Sequence, residues 1–230
     1  MISVIIPTLN EAARIGDLLR QLEAEPVTAE AIVVDGNSQD GTAAVARSGG
    51  WARVVAAPRG RGQQLAAGAN AARGDILLFL HADTAFPPGG LLALERALAA
   101  NPAAPGGNFR LLFDGGDRFS FWLTGLYAWL RRRGWYYGDS GIFVRREAYQ
   151  RLGGIRPVAL MEDWDFVRRL EAAGPTLCIT DPPLMTSARR FAGRRPPAIV
   201  LGWVRIHLLY FLGVSADRLA TLYGSQRGGR

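Results

Sequence analysis

Carboxylates are expected to carry whatever proton chemistry this chain performs. All 27 basic residues are arginine, lysine is absent, and histidine occurs only at His81 and His207. Without lysine, Schiff-base catalysis and the lysine of a nucleotide-binding P-loop are excluded. Two histidines give little basis for a multi-histidine metal cage or a Ser-His triad. Acid–base work therefore falls mainly to Asp and Glu.

Two acidic sites have a setting that suits chemistry. Asp83 follows Ile76-Leu77-Leu78-Phe79-Leu80, an apolar run that turns abruptly polar at His81-Ala82-Asp83-Thr84. Such a run suits a strand buried on both faces of a parallel sheet, and open α/β sheets bind ligands just beyond the carboxyl ends of their strands. A carboxylate there can hold a hard cation, and the cation a diphosphate; the alternative is a simple turn cap. Met161-Glu162-Asp163-Trp164-Asp165 starts a helix with Phe166, Val167 and Leu170 on its apolar side. Acids in a first turn either complement the helix dipole or serve a reaction. A third stretch, Pro58-Arg59-Gly60-Arg61-Gly62-Gln63-Gln64, sets glycines beside arginines, so that backbone and guanidinium can approach a phosphate closely.

The elements that must position these residues can be read in order. Strands are expected at Ile2–Ile6, Ala31–Val34, Val54–Ala56 and from Ile76. Between them lie a helix with Ile15, Leu18, Leu19 and Leu22 on one face, for which Asn10 is a candidate cap, and two Ala-rich helices. This alternation over the first hundred residues predicts a doubly wound α/β sheet. Beyond Pro87-Pro88 the pattern changes: a helix at Leu91–Ala100, an antiparallel strand at Gly107–Phe113 and an aromatic helix at Asp117–Arg133. Then come a loop to Gly141, a strand at Ile142–Val144 and a late strand at Thr176–Thr180. Helices are expected again at Ala198–Leu212 and Ala216–Tyr223.

A hydrophobic share of 49% with 20% charged residues is globular. The net charge of +7 suggests an anionic partner. The arginines are dispersed and no nucleic-acid motif accompanies them, so nucleic acid is not expected. Cys178, the lone cysteine, is expected to be a buried small hydrophobe in a reducing cytoplasm, and no secretory leader is expected. Trp122, Trp129, Trp135 and Tyr136 form either core, a subunit contact or an acceptor platform. Residues 198–212, interrupted by Arg205 and His207, are too short to span a bilayer comfortably. They form either a packing or homodimer helix or an interfacial membrane helix, with Arg194, Arg195 and Arg218 available to anionic lipid.

Taken together, Ser3–Glu11, the Val34-Asp35-Gly36-Asn37-Ser38 loop with Asp40 and Thr42, His81-Ala82-Asp83, Glu162-Asp163 and Ser187–Phe191 resemble family 2 glycosyltransferases of GT-A fold. More narrowly, Gly60–Thr84, Tyr137–Phe143, Leu160–Asp163 and Thr186–Arg190 are similar to a bacterial subgroup, the radical-SAM/selenodomain-associated transferases of arsenosugar type. The resemblance implies a Rossmann-like, mainly parallel sheet with an antiparallel acceptor-side portion and C-terminal helices. It divides the chain into a domain at 1–195, with a nucleotide half at 1–100 and an acceptor half at 101–195, and a helical appendage at 196–230.

By resemblance, Pro7, Leu9, Glu11, Asp35, Arg61, His81 and Asp83 would bind the nucleotide of a sugar donor. Asp83 would hold Mn²⁺ or Mg²⁺, with His81 standing where the family carries another acid. Asp163 would be the catalytic base, and Tyr137, Asp139, Glu162 and Trp164 would face a small-molecule or lipid-linked acceptor. The implied activity is inverting, metal-assisted sugar transfer in the cytoplasm or at the inner membrane face. The rivals are a nucleotidyltransferase, which would carry a Gly-rich loop where this chain has Pro7–Glu11, and a non-catalytic nucleotide-binding protein.

Overall fold

Ile2–Thr8 (β1), Ala29–Asp35 (β2), Ala52–Ala56 (β3) and Ile76–Phe79 (β4) lie side by side in parallel, in the order β3-β2-β1-β4. The computed structural model describes residues 1–191 and 193–225, without the side chains of Arg190 and Ser225. The end of the 196–230 stretch, and the Arg190 side chain of the basic-aromatic motif, fall outside the described residues.

Successive side chains of β1 point into two different cores, as the period of a strand requires. Ile2, Val4 and Ile6 meet Ile15, Leu18 and Leu22 of Ala12–Glu23 (α1) and Leu91, Leu94 and Leu98 of Gly90–Ala100 (α4). On the other face Ile5, Ile32 and Val34 meet Leu65 and Ala69 of Arg61–Ala71 (α3) and Phe166, Val167 and Leu170 of Glu162–Ala172 (α7). Helices on both faces explain why these strands read as near-continuous apolar runs. The remaining helix of this half is Thr42–Ser48 (α2).

The sheet continues through Ile142–Arg145 (β7), Gly106–Phe113 (β6), Leu177–Thr186 (β8) and the short Thr84–Ala85 (β5). β7 is antiparallel to both β4 and β6, as expected for the antiparallel portion of the sheet, whereas β6 runs parallel to β8. Gly106 and Gly107 let β6 pass close between its neighbours. A Cβ on Gly107 would stand 1.9 Å from the Leu177 carbonyl oxygen, and one on Gly106 2.2 Å from that of Phe143. β8 is longer than the predicted Thr176–Thr180. Pro182 and Pro183 read as strand terminators, but the β6–β8 register breaks between Phe109 and Leu111 and resumes at Leu184.

Arg118–Arg131 (α5) starts at an Asp117 cap whose carboxylate accepts from the Phe119 and Ser120 N–H groups. Arg146–Arg151 (α6) follows β7, and Pro196–Phe211 (α8) and Ala216–Ser225 (α9) close the chain. Ile206 and Leu219 of these last helices pack on Met161 and Trp164.

Two local expectations change. Asn10 does not cap α1; it adopts a left-handed conformation (φ 56°) and turns its Oδ1 to the Gln39 N–H, while Asp40 receives the Ala12 N–H. Cys178 is exposed, because it alternates along β8 with the buried Ile179.

Candidate active site

The parallel strands place the predicted nucleotide residues on one edge. Thr8 and Asp35 are register partners at the carboxyl ends of β1 and β2, and His81 and Asp83 follow the end of β4. Two loops are stitched together there. The Asn10 N–H donates to Ser38 Oγ (3.0 Å), the Glu11 N–H to Thr42 Oγ1 (2.9 Å) and the Ala12 N–H to Asp40 Oδ2 (3.0 Å). Asp35 accepts the Ser38 N–H at 3.1 Å, while Pro7 and Leu9 are half-buried beside it. Gln64, missed from sequence, is buried and donates from Nε2 to the Thr8 and Val34 carbonyls, both at 2.8 Å. It ties the two strand ends across the sheet edge. Only its position next to Arg61 hinted at this.

Asp83 and Glu11 meet through an arginine from the far end of the chain. One guanidinium nitrogen of Arg189 lies 3.0 Å from Glu11 Oε1 and 3.4 Å from Asp83 Oδ2. Two carboxylates therefore converge on one cationic group. Their hard oxygens suit Mn²⁺ or Mg²⁺. Among the described residues no group of three His, Cys, Asp or Glu gathers to hold a metal ion.

A second acid–arginine cluster is built around α7. Arg61 at the start of α3 donates from Nε to Glu162 and lies 3.4 Å from Asp163 Oδ2. Asp163 also accepts the Gly138 N–H at 2.9 Å and the Trp164 N–H at 2.8 Å. Burial pushes the Asp163 carboxyl upward, but Arg61, these two N–H groups and His81 outweigh it and hold the group below the usual carboxylate range. Glu162 goes the other way: burial dominates, the Asp163 charge adds to it, and Arg61 only partly compensates. The neighbours thus hold Asp163 as the carboxylate and leave the Glu162 carboxyl above its ordinary value. A side chain at position 138 would crowd this arrangement, since a Cβ there would lie 3.2 Å from Asp163 Oδ2 and 3.3 Å from His81 Nε2.

Asp163, Glu162, Arg61, His81, Tyr137 and Asp139 all face a cavity of roughly 770 Å³. Its other walls include residues 157–161, Leu126, Tyr127 and Leu130 of α5, Trp203 and His207 of α8, and Asp217 and Tyr223 of α9. Burial, with the charges of Asp163 and Asp139, raises the Tyr137 hydroxyl above its ordinary range, so it stays protonated. It pairs with His207 Nε2 at 3.0 Å, and His207 Nδ1 lies 2.9 Å from the Trp203 carbonyl. A carbonyl only accepts, so His207 Nδ1 carries a proton and donates it to Trp203.

Trp164 does not line this cavity; it is buried behind Tyr137, stacked on it at 5.5 Å. It sets the Tyr137 ring in place instead of facing an acceptor. Asp83 does not line the cavity either, and it is His81, two residues earlier, that reaches the wall. Arg61, expected near the nucleotide, faces Glu162 and Asp163.

The profile described as Glycosyl transferase family 2 matches residues 3–152. Over 99 residues the chain is 36% identical to the undecaprenyl-phosphate 4-deoxy-4-formamido-L-arabinose transferase of Pseudomonas aeruginosa, covering 38% of this chain but only 29% of that relative. Among solved structures, a mannosyltransferase from Pyrobaculum calidifontis in complex with GDP-Man and Mn²⁺ superposes with a TM-score of 0.63 at 20% identity, over 98% of this chain and 73% of that one. The glucosyl-3-phosphoglycerate synthase of Mycobacterium tuberculosis, in complex with Mn²⁺, UDP and glucosyl-3-phosphoglycerate, gives 0.61 at 22%, over 94% and 80%. At such identities the likeness establishes the fold, which is GT-A. The profile covers well over half of the sequence, and the chain belongs to glycosyl transferase family 2.

Proposed function

We propose that this chain transfers a sugar from a nucleoside-diphosphate donor to an acceptor hydroxyl, with inversion and with the help of a divalent cation. The observation that carries the proposal is Asp163: a carboxylate held ionised by Arg61 and two backbone N–H groups, facing a cavity wide enough for a sugar and an acceptor. In a direct displacement the acceptor oxygen bonds to the anomeric carbon, its proton passes to Asp163, and the bond to the diphosphate breaks with its electrons leaving on the phosphate. One base and one displacement give inversion.

Position supports the remaining roles. Asp35 accepts a hydrogen bond from the base, with Pro7 and Leu9 beside it. Asp83 and Glu11 would hold Mn²⁺ or Mg²⁺, which would supply Lewis-acid stabilisation of the departing diphosphate. Tyr137, Asp139 and Glu162 line the acceptor space. His207, Trp203, Asp217 and Tyr223 wall the same cavity, which supports counting their helices with the acceptor side. The Tyr137–Phe143 and Leu160–Asp163 motifs support placement in the radical-SAM-associated subgroup. The name of the P. aeruginosa relative supports a lipid-linked acceptor.

The test is Asp163→Asn, assayed as nucleoside diphosphate release with acceptor extract and as thermal stabilisation by nucleoside diphosphates with Mn²⁺. Transfer should fall by about 10²–10⁴-fold while ligand-induced stabilisation persists. Turnover at the wild-type rate would rule out Asp163 as the base.

A further inference from the structure

We propose that α5 and α8 form a single membrane-facing surface that docks this protein on an anionic bilayer. Three aromatic ties hold the two helices alongside one another. Phe119 of α5 reaches Trp203 of α8 through Phe191, with centroid separations of 5.8 and 5.6 Å. Tyr127 reaches His207 through Tyr137, at 5.9 and 5.7 Å. Trp135, just past α5, reaches Phe211 through Trp164, at 5.3 and 6.4 Å. The inner sides of both helices line the cavity.

Their outer sides are apolar and uncovered. On α5, Phe121 is 71% exposed, Trp122 47% and Trp129 44%, and the Arg133 guanidinium lies 3.6 Å over the Trp129 ring. On α8, Leu201, Val204, Leu208 and Phe211 follow one another at three- and four-residue steps, so they share a stripe, and each is more than half exposed. α8 is thus apolar on both sides, which in water demands a second covering. Among the described residues no helix is long and apolar enough to cross a membrane, so the covering lies alongside the helix.

Charge selects the occupant. No Asp or Glu occurs from residue 118 to 138 or from 182 to 216. Arg118, Arg132, Arg133, Arg194, Arg195 and Arg205 are all exposed. A second copy meeting this face symmetrically would set arginine against arginine. An anionic lipid headgroup layer offers the opposite charge, and tryptophan beside arginine on an apolar face is suited to the boundary between headgroups and acyl chains. The surface stands independently of the transfer reaction. Its consequence, that the cavity opens its acceptor side to lipid-borne molecules, rests on that reading.

The experiment is cosedimentation of the full chain with vesicles of phosphatidylcholine alone or mixed equally with phosphatidylglycerol. Binding is expected to the mixed vesicles, falling with added salt, and weak to phosphatidylcholine alone. Two double variants, Phe121→Ser with Trp122→Ser on α5 and Leu201→Ser with Leu208→Ser on α8, should each weaken binding about tenfold or more without changing the circular dichroism melting curve. Arg132→Glu with Arg133→Glu should do the same. The proposal is overturned if the wild type stays in the supernatant with mixed vesicles, or if neither apolar double variant weakens binding. It is also overturned if these substitutions convert a solution dimer to monomer, which would make a second copy the occupant. No donor enters this assay, so its failure leaves the transfer reaction untouched, and an inactive but vesicle-bound protein leaves the docking surface untouched.

Discussion

Two clusters in this molecule have the same composition, an arginine between two acids, and differ in burial. Arg61 joins Glu162 and Asp163, whose side chains are 1% and 10% exposed. Arg189 joins Glu11 and Asp83, at 19% and 22%. The arginines are alike at 38% and 40%, so the difference lies with the acids. Buried acids lose their water and depend on Arg61 for compensation, whereas acids that keep water can exchange one cationic partner for another at little cost. The first cluster is suited to fixing a protonation state. The second is suited to opening for a cation and a diphosphate.

The largest expected effect that separates them is on stability. Arg61→Met keeps most of the aliphatic packing but leaves two neighbouring buried carboxylates without their counter-charge. Because the Arg61 side chain keeps some contact with solvent, the expected loss is about 2 kcal/mol, below the full cost of breaking a buried pair. Arg189→Ala, by contrast, should cost no more than about 1 kcal/mol. Urea unfolding of both variants at neutral pH makes the comparison. Equal midpoints would mean that burial does not distinguish the clusters.

How far the sequence reaches can be seen in the same two places. The run Ile76–Leu80 announces a strand with a polar exit, and Glu162-Asp163 announces a charged helix start, because strand burial and helix entry are local properties. Neither shows that Arg61 lies against Glu162, since that pairing spans 101 residues and depends on how α3 and α7 pack on one side of the sheet. Arg189 belonged to a recognisable motif, yet its two acidic partners lie 178 and 106 positions away. Gln64 carries no sequence signal beyond its position. The prolines within β8 read as its end, and helix periodicity does not reveal on which side of Tyr137 the Trp164 ring lies. The α8–α9 wall of the cavity was unreadable for the same reason: apolar helices declare that they pack, not what they enclose.

The next effect is on ligand binding. Asp83→Ala should remove most of the Mn²⁺-dependent part of nucleoside diphosphate affinity, about tenfold, with little change in the metal-free affinity. Isothermal titration with and without Mn²⁺ reads this directly. If Mn²⁺ strengthens binding equally in wild type and variant, the exchangeable cluster is not where the cation is held.

The smallest effect tests the buried cluster from its less obvious member. The Asp163 carboxyl is depressed in the fold, so its contribution to stability is present above its unfolded value of about 3.9 and is lost as pH falls through the folded value. Glu162 has the opposite sign. Its folded value lies above the unfolded one of about 4.3, so between the two the folded chain holds a proton that the unfolded chain has released, and stability declines as pH rises through that window. Glu162→Gln keeps an oxygen for Arg61 Nε and removes the repulsion on Asp163. The variant should lose the descending part of the stability profile above about pH 4.3 and keep the acid-side rise, with a difference under about 1 kcal/mol at pH 7. Urea midpoints from pH 3.5 to 7.5 decide the matter. A descending limb that survives in the variant would mean that Glu162 is ionised throughout and that Arg61 compensates both acids.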